Sequence, residues 1–301
     1  MYRFIIIAFT SFILLCSCGE ENYPEKGTPG YIQEINQWHV HRVERLKQPS
    51  GWLNLAGLFW LKEGENTFGS DESNDLIFPK DTTNKIGSFV LNDSVVALKV
   101  YENVDVLVDS QLVKEFVLIP DTKPNTTKIN LGSYEWNLII RSDDMYGIRL
   151  RDLDTEILKT FKGVERFPVN EDWRISAEFQ PFDPPIEIDI PTIIGTIEKD
   201  YSPGKLVFNI NDKEYELFPT KSGNGLFIVF ADLTSGEETY GAGRFLYTDM
   251  PDSNNIVILD FNKAYNPPCA FSKYATCPLP PKENYLKIRI TAGEKNYDYG
   301  H

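Results

Sequence analysis

Residues 87–120 read GSFVLNDSVVALKVYENVDVLVDSQLVKEFVLIP, and their punctuation decides the fold class. Four apolar runs, Ser88–Leu91, Val95–Val100, Val104–Val108 and Leu112–Leu118, are each too short for a helix and rich in valine. Asn-Asp-Ser, Glu-Asn and Asp-Ser steps separate them, the residues that close tight turns between strands. The same rhythm extends outward. Upstream lie Leu53–Leu61 and Leu76–Phe78. Downstream come Tyr134–Arg141, Gly147–Arg151, Trp173–Phe179, Ile193–Glu198, Lys205–Ile210, Tyr215–Phe218, Leu226–Ala231, Ile256–Phe261 and Leu286–Thr291. Many short strands at this spacing mean a sandwich or barrel, so the chain is mostly β.

One helix precedes them. From Tyr31 to Lys47 the apolar positions Ile32, Ile35, Val43 and Leu46, with Trp38 beside them, follow helical spacing between Pro29-Gly30 and Pro49. Glu34, His41, Arg42, Glu44 and Arg45 form its charged side. His39 and His41 are two apart and point to different faces, which favours solvated or capping roles over a metal pair.

The first 18 residues, MYRFIIIAFTSFILLCSC, place a basic Arg3 before an apolar run that is short for a membrane span. The ending Leu15-Cys16-Ser17-Cys18 resembles a bacterial lipobox. That resemblance implies a leader at 1–17, a lipidated Cys18 and attachment to the bilayer as an outer-membrane lipoprotein of the bacterial cell envelope. Glu20 and Glu21 resemble the surface-export signal of Bacteroidetes lipoproteins. Polar, Gly- and Pro-containing residues 18–30 then form a tether. The formal charge of −14 on 301 residues disfavours nucleic acid or an anionic membrane surface as partner.

Within residues 31–180, the run from Gly64 to Asp71 (GENTFGSD), then Asn74-Asp75-Leu76-Ile77-Phe78-Pro79 and Gly87-Ser88-Phe89, resembles the opening of a forkhead-associated β-sandwich. Residues 132–141, GSYEWNLIIR, resemble its closing strands. Ser70 stands where that family's phosphate-reading arginine would be, and no histidine follows Ser88, so no phosphothreonine binding is expected. In residues 147–179 the alternating Arg149, Arg151 and Asp152 read as charge pairs, and Phe161, Phe167, Trp173 and Phe179 as core. The proline-rich segment 181–191, PFDPPIEIDIP, reads as an edge strand or crossover. It marks the start of a second antiparallel β module, 181–301, packed closely on the first.

That module holds the densest polar chemistry. Residues 260–284 contain the pattern DFN-x-AYNPPCAF-x-x-YATCPLPP-x-EN, preceded by Asp232, Thr234, Ser235, Glu238, Thr239, Tyr240 and Arg244. With the early GWLNLAGLFWL of residues 51–61, it closely resembles the bacterial domain-of-unknown-function family 1684. The resemblance runs from about Trp38 to Tyr297 and implies no reaction.

The residue types narrow the chemistry. Three histidines, two on the first helix and His301 at the end, leave Ser235 and the cysteines without a base unless that helix folds onto the C-terminal half. Cys269 and Cys277 lack a second pair or nearby histidine for zinc, which leaves a disulfide or packed thiols. Asp232, Glu238, Asp260, Asn262 and Glu294 offer oxygen ligands without a calcium-loop spacing, and neither a metal nor a cofactor is expected. Thr239, Tyr240, Arg244, Asp260, Asn262, Tyr265 and Asn266 remain as a candidate site for a small anionic or glycan ligand or a protein partner. The competing reading is a polar network that pins an irregular loop. The alternative function is a hydrolase with Asp260 or Glu238 as acid or base and Arg244 positioning substrate.

Overall fold

The structure, a computed structural model, describes residues 23–142 and 144–297. The leader, Cys18 and His301 lie outside them. Thr28 caps the first helix, Pro29–Lys47, by accepting from the Tyr31 amide, and Pro29 occupies the first turn, where its missing N–H costs nothing. The chain turns away after Lys47 toward Pro49. Tyr31, Ile35, Arg42 and Leu46 form the buried stripe, so an arginine sits in the apolar register.

The N-terminal module is a sandwich of two sheets. One orders Leu55–Trp60, Met145–Asp152, Tyr134–Arg141, Ile129–Leu131, Val106–Val108 and Gln111–Val113. The other orders Leu76–Ile77, Gly64–Gly69, Gly87–Asn92, Val95–Val100 and Glu115–Val117. All pairs are antiparallel except Gly64–Gly69 with Leu76–Ile77. Alternation along each strand sends Phe68, Phe89, Leu98, Trp136, Leu138, Ile148 and Leu150 into one shared core. The opposite face of Met145–Asp152 carries Arg149 and Arg151, yet both are buried, Arg151 against Gly51, Trp52 and Asn54 and Arg149 against Trp52 and Thr276 of the C-terminal module.

That second module packs a four-stranded sheet, Lys213–Leu217, Ile197–Ile210, Arg174–Pro191 and Ile256–Asp260, on a three-stranded one, Thr220–Ser222, Gly225–Phe230 and Arg244–Asp249. Their shared core includes Phe208, Leu226, Ile228, Phe230, Leu259 and Phe261. The proline-rich segment is not a crossover. It continues one 18-residue strand that starts at Arg174 and already pairs with Ile256–Asp260. Its prolines fall where they cost no ladder bonds, at a register break between Pro181 and Ile186 and at the strand's end. Two other expected strands differ. Residues 192–195 make a turn, and the strand begins only at Ile197. Leu286–Thr291 forms no ladder, for a reason that lies in Arg244. Among the described residues, no helix is long and apolar enough to cross a membrane.

Candidate functional site

Arg244 opens its strand facing inward and is fully buried. Gly243 precedes it at φ +86°, and a Cβ there would meet the Phe230 carbonyl at 2.6 Å, so only glycine permits this entry. The guanidinium pairs with Asp232 at 2.7 Å and donates to the carbonyls of Ile290 and Ala292. Asp232 in turn accepts from the Ile290 amide and from both donors of Thr234. Side chains therefore take the Ile290 amide and the Ile290 and Ala292 carbonyls, groups that a neighbouring strand would otherwise pair. Burial pushes the Arg244 guanidinium below its ordinary value, and Asp232 opposes that shift. Enclosed on every side, Arg244 cannot hold a substrate, and it bonds neither Asp260 nor Glu238.

A second network ties the first helix to the signature loop. Arg42 donates to Glu294 at 3.1 Å and to the Asn266 carbonyl at 2.9 Å, while Glu294 accepts from the Asn266 amide. Tyr265 lies under the Arg42 guanidinium, 4.5 Å from its ring centre, and packs against Trp38, Phe245 and Tyr247. Thr239 is buried against Thr234, and the Tyr240 hydroxyl donates to the Cys269 carbonyl. Of the residues expected to bind ligand, Thr239, Tyr240, Arg244 and Asn266 make these contacts within the chain. Glu238 lies elsewhere, paired with Arg289 and accepting from the Tyr23 hydroxyl.

Asp260 behaves differently. It ends the edge strand Ile256–Asp260, and its Oδ1 accepts from the Tyr31 hydroxyl at 2.8 Å and from the amide and side chain of Asn262. Asn262 also exchanges bonds with the backbone of Asn170. Among the described residues Oδ2 of Asp260 has no hydrogen-bond donor, and the nearest cation, Lys263 Nζ, is 3.8 Å away. Asp260 lines a cleft of about 550 Å³, together with Lys263, Arg174, Glu34, Tyr247 and Met250. Tyr247 is half exposed and nearly coplanar with Tyr265. A carboxylate with one spare oxygen, flanking cations and an aromatic face suit a ligand carrying hydroxyl or amino groups.

The helix does fold onto the C-terminal half, but it brings no base to a nucleophile. His39 is half buried rather than solvated, and its Nε2 sits 3.2 Å from the Asn262 carbonyl. His41 is exposed beside Glu44. Cys269 and Cys277 are neighbours and free thiols, the Cys269 amide donating to Cys277 Sγ at 3.0 Å. Among the described residues no cluster of three His, Cys, Asp or Glu side chains is placed to hold a metal ion.

With this geometry in place, residues 159–295 match the profile of a family described as a protein of unknown function, DUF1684. Over that span the chain is similar to DUF1684. The matched span takes in the whole signature loop, both sheets of the C-terminal module, the Arg244 network and Asp260 itself, while Tyr31 reaches Asp260 from outside it. No curated protein matches the chain. Among solved structures it is similar to an uncharacterized protein of Haloarcula marismortui determined by NMR. That similarity is 29% identity over 48% of this chain and 80% of the other, with a TM-score of 0.40. It is also similar to the FHA domain of FhaA in a crystallised complex, at 17% identity, 31% of this chain, 97% of the other and a TM-score of 0.22.

Proposed function

We propose that this chain is a binding protein of the bacterial envelope, held to the outer membrane through a lipid on Cys18. Its C-terminal cleft takes a sugar-like ligand with hydroxyl or amino groups. The observation that carries this reading is Asp260, whose Oδ1 is saturated while Oδ2 has no donor beside the cleft. A buried carboxylate oxygen without a donor costs about 1–3 kcal/mol, and a ligand hydroxyl or ammonium would restore it. Of the residues the hydrolase alternative would use, only Asp260 lies at the cleft, since Glu238 pairs with Arg289 and Arg244 is enclosed.

Two measurements test the proposal. Replacing Cys18 by Ser is expected to move the protein from the membrane pellet to the soluble fraction; an unchanged pellet removes the anchor. For the cleft, melting of the mature protein is followed against amino sugars, neutral oligosaccharides and polyols. A ligand at one hundred times its dissociation constant adds about 2.7 kcal/mol, roughly 5 to 10 °C for a chain of this size. Asp260→Asn, which keeps the shape and the Oδ1 bonds, is expected to weaken that ligand at least tenfold (about 1.4 kcal/mol). Equal affinity in the variant, or no shift with any of these ligands, removes the cleft as a site.

A further inference from the structure

The second candidate pocket lies elsewhere, between the two modules. Strand alternation puts Ile148 and Leu150 into the sandwich core and turns Arg149 and Arg151 to the outer face of the six-stranded sheet. Arg141, on the adjacent strand Tyr134–Arg141, joins them there. Trp52 lies across this face, its ring 5.7 Å from the Arg149 guanidinium carbon and 5.6 Å from that of Arg151. The signature loop then closes over the top, bringing Pro268, Thr276, Cys277 and Pro278.

The charges in this layer do not balance. Arg141 has Asp121 at 2.9 Å, and Arg151 donates to Asn54 and the Gly51 carbonyl and feels Glu135 on the neighbouring strand. Arg149 is only 5% exposed and has no carboxylate partner among the described residues. Its one hydrogen bond runs from Nη2 to Thr276 Oγ1 at 3.0 Å, an oxygen that also accepts from Arg141 Nε at 3.0 Å. Its Nε is enclosed with no partner. Burial and the nearby Arg141 and Arg151 push Arg149 down to about 10, which still leaves it charged at neutral pH. The adjacent Cys277 thiol is no counterion, since burial pushes it up and keeps it protonated.

A desolvated, unpaired guanidinium is among the costliest things a fold can enclose. Here it borders a cavity of about 210 Å³ walled by Trp52, Phe227, Phe245, Pro268, Cys277 and Pro278. At about 30 Å³ per water-sized group the cavity has room for roughly seven. A planar fork matches a carboxylate, and beside Arg141, already paired with Asp121, and Thr276 the remaining walls are mostly apolar. We propose that this inter-module pocket binds a small organic carboxylate with a compact apolar body, the carboxylate on Arg149 and the body against Trp52, Phe227 and Phe245. The site shares no residue with the Asp260 cleft, so neither depends on the other.

The test uses the mature protein with benzoate and isovalerate, which carry both features. Benzyl alcohol has the body without the charge, and inorganic phosphate the charge without the body. Thermal melting and titration calorimetry are expected to show saturable binding of the two carboxylates, at least tenfold weaker for the other two. In Arg149→Met carboxylate binding is expected to vanish while the unliganded melting point holds or rises, because a buried charge gives way to an apolar side chain of similar length. A purely structural arginine predicts the reverse, a lower melting point and no carboxylate effect in the wild type. Asp260→Asn is expected to bind benzoate normally. Phosphate bound as tightly as benzoate, or no binding of either carboxylate, overturns the proposal. So does unchanged benzoate affinity in Arg149→Lys, which keeps the charge and loses the fork and which decides the matter if Arg149→Met does not fold.

Discussion

Arg244→Ala is expected to cost the mature protein about 3–5 kcal/mol, the range for breaking a buried ion pair by removing one partner. For a chain of this size that is a fall of roughly 6 to 20 °C in melting temperature. Three losses coincide. Asp232, also fully buried in its side chain, is left charged and unpaired. The Ile290 and Ala292 carbonyls lose their donor in a segment that has no ladder to fall back on. A cavity opens beside Phe230, over which the guanidinium lies at 5.3 Å. Arg244→Met with Asp232→Asn is expected to recover part of the loss, since no uncompensated charge remains and the Asn oxygen can still accept from Thr234 and the Ile290 amide. Urea unfolding of both variants checks this. A single variant within about 1 kcal/mol of wild type would mean that the pair is solvated and that the loop is held by other contacts.

The same residue marks where sequence reading stopped. Short valine-rich runs between Asn, Asp and Gly announce strands through local geometry alone, so the mostly β class and the first helix were legible. Leu286–Thr291 has that composition too, but Leu286 and Ile288 bond the backbone of Ala231 and Leu233 singly, and Ile290 bonds the Arg244 and Asp232 side chains, 46 and 58 residues away. Nothing local encodes that. The strand Arg244–Asp249 was missed for the converse reason, its RFLYTD pattern showing a charged residue at an inward position that a distant carboxylate makes tolerable. Asp260 and Asn262 stand out in the sequence as polar residues of the signature loop, but their company cannot be read there. Tyr31, Asn170 and Lys263 assemble around them from three parts of the chain.

Arg149 shows the limit most clearly. Alternating along a strand, Arg149, Arg151 and Asp152 read as charge pairs. In the fold a second module covers that face and supplies a threonine, a thiol and prolines instead of a carboxylate. Among the described residues, Trp136, Ser142, Arg244 and Asn266 also hold a buried polar atom without a partner, but Arg149 and Asp260 are the two whose orphaned atoms belong to charged side chains lining a cavity.

Acid is expected to weaken the fold between about pH 6.5 and 4 through His39. Burial, then the Arg166 guanidinium and more weakly Arg42, hold its imidazole down to about 4, against the pull of the Asn262 carbonyl. The unfolded chain takes the proton at about 6.5. As the pH falls through this window the unfolded state binds a proton that the fold refuses, so the stabilisation is full above 6.5 and lost by 4. The shift corresponds to about 3 kcal/mol at most. Glu34, lowered by its bond to Lys263, adds a loss of the same sign below its ordinary range, whereas Glu294, raised by burial, acts in the opposite direction. The comparison with His39→Gln, whose amide can still donate to Asn262, isolates the imidazole. Urea midpoints at pH 7.5, 5.5 and 4.5 are expected to fall less steeply in the variant, with the difference growing toward the acid end. Parallel curves would place the imidazole in water and detach the first helix from Asn262, and with it the Tyr31 bond that leaves only one oxygen of Asp260 free.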